Sequence, residues 1–197
     1  IDLYESIQDS ISIPLIAHGG CNDIKSINQI TNLTKKVRQL TKDRNFPIMI
    51  DEEGKTVSRL QEIIKNDVYQ KLFGDLFELG PKISISIYRK YINKLCRILK
   101  SLGININTVP VLDVLRKNTN KIIGNRSFST KPIIVKKLGQ VCIEQYKKNR
   151  IGTVIKHIPG HGCSNSDSHI TLPKVNLSLT SLNKIDFFPF KSSSSKF

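Results

Sequence analysis

Four short apolar runs, separated by segments whose apolar residues recur every three or four positions, limit this chain's fold most strongly. Ile11 to Ala17 (ISIPLIA) reads as a buried strand, and Ser26 to Lys42 follows it with Ile27, Ile30, Leu33, Val37 and Leu40 on one helical face. Phe46 to Ile50 (FPIMI) is the second strand, ending at Asp51. A helical region with Leu72, Phe73, Leu76 and Phe77 comes next, then a helix over Ile87 to Leu102 with Gly103 where a C-cap belongs. Ile104 to Val109 is the third strand, with a loop over Val111 to Val114. Pro132 opens a helix running to about Lys148, with Ile133, Ile134, Leu138, Val141, Cys142 and Tyr146 on its apolar side. Gly152 to Lys156 (GTVIK) is the fourth strand. Strands alternating with helices predict an α/β protein with a parallel sheet and crossover helices.

In such a sheet the loops after strand ends carry the chemistry. Here those positions hold Asp51, Asp113, and Lys156 with His157. No GxGxxG or GxxxxGK[ST] follows the first strand, which argues against a nucleotide site. With 197 residues, 39% hydrophobic and 24% charged, the chain suits one soluble domain. No apolar run approaches the roughly 20 residues of a membrane span, and the first residues lack the features of a secretory signal. The net charge of +15 is spread along the chain, mostly as Lys, without zinc-finger spacing or an RNP-like aromatic pattern. It reads as compositional bias, so neither a nucleic-acid nor a membrane partner is expected. Cys21, Cys96, Cys142 and Cys163 form no CxxC pair and are expected as free thiols in an intracellular protein. A domain over 1–190 is expected to end in a disordered tail, 191–197 (KSSSSKF).

The densest chemistry lies between Lys156 and Pro173, KHIPGHGCSNSDSHITLP, which contains three of the four histidines. His157, His161, Asp167 and His169 have the donor types of a zinc site, yet Pro159, Gly160 and Gly162 exclude the regular helix that would align a His pair. Without metal, Lys156 and His157 can donate to ligand hydroxyls while the glycines bend the backbone. His161 reads most simply as a residue that pins the turn. Asp167 stands two residues before His169, a spacing that lets a carboxylate orient an imidazole for proton transfer near neutral pH. A solvated loop would show the same spacing.

KHIPGHG, four residues, then DSHITLP resembles the KHFPGHG-x4-DSH-x2-LP signature of family 3 glycoside hydrolases, in particular the bacterial β-N-acetylhexosaminidases that trim cell-wall muropeptide fragments. Further segments agree in order: DEEGKTVSR over Asp51 to Arg59, GININTVPVLDV over Gly103 to Val114, IGNRSFS over Ile123 to Ser129, and DFFPFK over Asp186 to Lys191. The resemblance implies the N-terminal half of a (β/α)8 TIM barrel. It implies that Asp51, Arg59, Arg126, Lys156 and His157 hold N-acetylglucosamine through its hydroxyls, and that His169 is the general acid/base, oriented by Asp167. The implied reaction is retaining hydrolysis of a β-glycosidic bond through a glycosyl-enzyme, with no metal or organic cofactor.

Two departures stand out. Glu52 and Lys55 occupy positions where the family has Gln and Gly. The family's nucleophile, an aspartate in a later SDDL-like segment, has no counterpart in residues 1–197. A truncated cytoplasmic hydrolase with little activity alone is therefore expected, with unpaired sheet edges and exposed apolar helix faces. The alternatives are a non-catalytic N-acetylglucosamine-binding remnant and one half of an enzyme completed by a second chain.

Overall fold

The computed structural model describes residues 15–16, 27–116, 122–164 and 175–191. In chain order its elements are β1 (Leu15–Ile16), α1 (Ile27–Thr41), β2 (Ile48–Ile50), β3 (Glu52–Gly54), β4 (Val57–Ser58), α2 (Gln61–Ile64), α3 (Gln70–Leu79) and α4 (Pro81–Ser101). There follow β5 (Ile106–Asn107), a 3-10 turn (Gly124–Arg126), α5 (Pro132–Lys148), β6 (Gly152–Thr153), α6 (Leu179–Lys184) and α7 (Phe188–Lys191). The sheet runs β1-β2-β5-β6, every pair parallel, with Leu15 opposite Ile48, Met49 opposite Ile106 and Ile106 opposite Gly152. A parallel bridge between Val111 and Lys156 carries the last pairing past the strand ends. Strands in chain order with helical crossovers are the pattern of one part of a (β/α)8 barrel, as the resemblance implies. Among the described residues β1 and β6 each have one strand neighbour.

The helices follow their sequence patterns with instructive shifts. On α4, Ser84, Tyr88, Ile92, Leu95, Cys96 and Leu99 are buried at helical spacing. The helix starts at Pro81 rather than Ile87, because proline is pre-set for a first helical turn that needs no N–H. Gly103 takes φ +77 and its N–H donates to the Lys100 carbonyl, the C-cap that the sequence predicts. The α5 helix spans the expected residues and buries Ile134, Leu138, Val141, Cys142 and Tyr146, but Ile133 is exposed. On α1 the expected face is also narrower. Val37 is buried beside Thr34, whereas Ile27 and Leu33 are exposed. Thr34 is enclosed because its hydroxyl donates to the Leu102 carbonyl, tying α1 to the end of α4.

Aromatic rings join the helical layer to the turn beyond β5. Phe73, Tyr88 and Phe128 are all buried, with ring centroids 4.3 Å apart for Phe73 and Tyr88 and 5.7 Å for Tyr88 and Phe128. The β3–β4 hairpin, which the sequence does not announce, lies directly after β2. Its Gly54 has φ +136, and a Cβ there would stand 2.1 Å from the Val68 carbonyl oxygen.

Two asparagines in β5 and its approach secure the neighbouring backbone. Asn105 accepts from the Ile48 N–H at 2.7 Å and donates to the carbonyls of Asn45 and Phe46. Asn107 accepts from the Glu52 N–H at 3.0 Å and donates to the Glu52 carbonyl at 2.8 Å and the Tyr146 hydroxyl at 2.9 Å. A side-chain amide matches a peptide group donor for acceptor, so it satisfies buried backbone where the chain leaves the ladder.

Apolar surface remains at Leu79 (87% exposed), Ile83 (66%) and Leu179 (66%). Lys191 closes α7, and the rest of the tail, 192–197, lies outside the described residues. No helix among the described residues is long and apolar enough to cross a membrane.

Replacing Gly74 tests the contact between α3 and the Phe128 segment. In an open helix Gly→Ala stabilises by about 1 kcal/mol. At Gly74, however, the new Cβ would lie 1.7 Å from the Phe128 carbonyl oxygen. Gly74→Ala is expected to destabilise the fold by about 1–3 kcal/mol or more, read from urea denaturation followed by circular dichroism.

Candidate active site

The carboxyl ends of β2, β5 and β6 bring together groups far apart in sequence. Asp51 directly follows β2, and Lys156 lies three residues after β6, aligned by its bridge to Val111. The Lys156 ammonium donates to Asp51 Oδ1 at 3.0 Å and to Thr108 Oγ1 at 2.9 Å, and pairs with Glu53 Oε1 at 2.5 Å. The Thr108 hydroxyl in turn donates to Asp51 Oδ1. Two of the three N–H bonds of the ammonium thus have protein acceptors, and Glu53 adds a direct charge contact. Among the described residues the hydrogen bonds to the Asp51 carboxylate fall on Oδ1.

Adjacent residues on β3 face opposite ways, as strand geometry requires. Glu53 points to the site, and Arg126 grips it with a fork: Nε donates to Oε2 at 2.8 Å and Nη2 to Oε1 at 2.9 Å. Glu52 points away, accepting from Ser58 Oγ at 2.8 Å, the Leu60 N–H at 3.2 Å and Asn66 Nδ2 at 2.8 Å. Arg126 closes the 3-10 turn, whose form is held by Ser127 Oγ donating to the Asp113 carbonyl and Gln70 Nε2 donating to the Arg126 carbonyl.

His157 completes the cluster. Its Nδ1 lies 2.6 Å from Asp113 Oδ2, and Arg126 Nη2 lies 3.2 Å from its Nε2. Arginine can only donate, so Nε2 is the acceptor and the proton resides on Nδ1, where the Asp113 carboxylate receives it. Both ring nitrogens therefore have protein partners, and no lone pair on His157 is left for a metal. Among the described residues no group of three His, Cys, Asp or Glu side chains has the arrangement of a metal site. Asp113 is fully buried, and its second oxygen accepts the His161 N–H at 2.6 Å. The turn is thus pinned at His161 through its backbone.

The charges follow from these contacts. Burial raises the Asp51 carboxyl, but the Thr108 and Lys156 hydrogen bonds and the charges of Lys156 and Arg59 outweigh it, leaving Asp51 below the ordinary carboxylate range. Arg126 is pulled down by burial, and the hydrogen bond and charge of Glu53 more than restore it. Burial dominates at Glu52, whose carboxyl is held above its ordinary value despite its hydrogen-bond donors. Cys163 is also pushed up by burial and by the nearby Asp186, against the smaller effect of Arg116, so it lacks the character of an activated thiol. Asp186 pairs with the Arg116 guanidinium and packs on the loop, where a Cβ on Gly160 (φ +125) would stand 3.1 Å from its own Cβ.

Of the residues singled out in the sequence, Asp51, Arg126, Lys156 and His157 converge. Arg59 is exposed just past β4 and reaches Asp51 through its charge alone. Asp167 and His169 lie outside the described residues. Glu53 and Thr108 were not singled out. A second acidic residue after the β2 end, alternating with Glu52, was the signal for Glu53, and Thr108 showed none.

An α/β barrel segment with carboxylates and cations clustered at its strand ends has the architecture of an enzyme domain. The glycosyl hydrolase family 3 N-terminal domain matches residues 10–194, and the chain belongs to that family of glycosidases. It is 33% identical over 169 residues to the beta-hexosaminidase A of Pseudoalteromonas piscicida, covering 83% of this chain and 27% of that protein. It is 30% identical to the beta-hexosaminidase of Neisseria meningitidis serogroup C, covering 86% and 46%. The native NagZ structure from Neisseria gonorrhoeae superposes with a TM-score of 0.81 at 29% identity, covering 89% of this chain and 51% of that one. A family 3 β-N-acetylglucosaminidase from Paenibacillus shares the fold, with a TM-score of 0.86 at 24% identity. The chain thus spans 27% and 46% of the length of these two curated relatives.

Glu52 gives a test of the buried carboxylates. Its folded value is raised, so its ionised form costs stability at neutral pH, and that cost disappears as pH falls through the folded and then the ordinary Glu range. Glu52→Gln keeps an acceptor for Ser58 and Leu60 and removes the charge. The variant is expected to equal or exceed the parent in stability at pH 7, with the difference shifting toward the parent as pH falls. Urea midpoints at several pH values measure it.

Proposed function

We propose that these residues form the sugar-holding part of a β-N-acetylhexosaminidase acting on terminal β-linked N-acetylglucosamine in cell-wall fragments. The observation that carries this reading is the meeting of Asp51, Arg126, Lys156 and His157 in one network. A sugar offers hydroxyls, and a carboxylate makes stronger hydrogen bonds to them than a neutral acceptor does. Asp51 Oδ2 faces a ligand as the acceptor. Lys156 holds that carboxylate in place, a more indirect role than donating to the sugar. Arg59, exposed beside Asp51, is the cation free to close on the ligand.

In this proposal His169 protonates the leaving oxygen and later activates water, with Asp167 orienting its ring. Retention needs a carboxylate that attacks the anomeric carbon. No SDD segment occurs in these 197 residues, so the proposal takes the nucleophile from outside them, on the same or a second polypeptide. The reaction needs no metal or organic cofactor, and a cytoplasmic setting is part of the same reading. The domain itself is proposed to extend over residues 1–190.

Calorimetric titration of the 197-residue chain with N-acetylglucosamine tests the reading, alongside hydrolysis of a chromogenic β-N-acetylglucosaminide with His169→Ala as control. Binding without turnover is expected, and Asp51→Asn is expected to weaken it about tenfold, about 1.4 kcal/mol. Absence of binding by a folded chain counts against the sugar site. Turnover that His169→Ala abolishes would place a nucleophile among these residues.

A further inference from the structure

Glu53 is nearly enclosed, its side chain 2% exposed, and both of its oxygens are taken by cations. Oε2 receives Arg126 Nε, while Oε1 receives both Arg126 Nη2 and Lys156 Nζ. We infer that Glu53 is the positioning residue of this site: it sets the separation of the guanidinium from the ammonium and, through Arg126, holds a donor against Nε2 of His157. The inference deepens the reading of the cluster as a sugar pocket and, for its effect on binding, rests on it.

The geometry leaves little slack. Nη2 has two N–H bonds, one directed to Glu53 Oε1 at 2.9 Å and the other to His157 Nε2 at 3.2 Å. The fork fixes the guanidinium plane, because Nε and Nη2 must both meet the carboxylate. Rotating that plane withdraws the hydrogen that meets the imidazole. On the far side Asp113 takes the Nδ1 proton at 2.6 Å. His157 is thus held between a donor and an acceptor, as one neutral tautomer.

Lys156 is fixed by the same carboxylate. Its other acceptors, Asp51 and Thr108, lie on the ligand side, and without Glu53 the two cations would face each other with no charge between them. A neutral amide cannot replace the carboxylate. It presents one oxygen to groups that need two acceptors and turns N–H against N–H.

Nitrogen-15 NMR of the labelled chain reads this directly through the long-range imidazole correlations, with His157→Gln identifying the His157 signals. In the parent, His157 is expected to show a protonated Nδ1 and a bare Nε2. In Glu53→Gln the Nε2 signal is expected to move to the position of a bare nitrogen that accepts no hydrogen bond, and N-acetylglucosamine affinity to fall about tenfold. An unchanged His157 pattern in folded Glu53→Gln, or a parent carrying its proton on Nε2, overturns the inference. If Glu53→Gln does not fold, Arg126→Lys serves instead. It keeps both charges of the buried pair but removes the fork, and an unchanged pattern there equally overturns the inference. A His157 pattern that responds in a parent that binds no N-acetylglucosamine supports the positioning role and sinks the sugar reading alone.

Discussion

A carboxylate enclosed between two cations ties this domain together where the sheet alone would not. Its strands are short, and β5 and β6 pair over two residues each, so backbone pairing contributes modestly to the strand ends. Glu53 joins the hairpin after β2 to the 3-10 turn before α5 and to the chain beyond β6. Burying such charges is costly, and removing one partner would leave the others uncompensated. The network therefore acts less as a source of stability than as a requirement that three loops occupy one arrangement. Asp113 repeats the logic nearby, holding His157 and the His161 backbone from a fully buried position.

Much of the scaffold was legible in the sequence because helix periodicity, Pro at a helix start and Gly at a helix end are local signals. Pro132 and Gly103 marked their boundaries for that reason. The expected faces of α1 and α5 came out too wide, since apolar spacing does not say how far the neighbouring layer reaches. Ile27, Leu33 and Ile133 fall beyond it. The β3–β4 hairpin escaped because EEGKTVS has little apolar alternation. Its pairing is held by long-range contacts, such as Asn107 on Glu52 and the Val68 carbonyl receiving the Lys55 N–H.

The site divides along the same line. Asp51, Arg126, Lys156 and His157 could be named in advance because they stand at strand ends or in segments resembling the family. Their mutual roles could not be. That Lys156 spends two donors on Asp51 and Thr108, and that His157 sits between Asp113 and Arg126, are facts of three-dimensional adjacency between residues up to 105 positions apart. Glu52 and Glu53 make the point most sharply. Neighbours of identical chemistry, they face opposite environments, one carboxylate paired with cations and the other held by neutral donors.

The order of strands in the sheet bears on how the chain acquires this chemistry. Because β1, β2, β5 and β6 lie side by side in the sequence in which they are synthesised, each can dock on an edge already present as it emerges from the ribosome. The charged cluster at the strand ends cannot grow that way. Asp51, Glu53 and Arg126 are synthesised before Lys156 and His157, so a nascent chain carries carboxylates without their ammonium until the fourth strand arrives. The scaffold can be extended strand by strand, whereas the charge network closes only with the last of them.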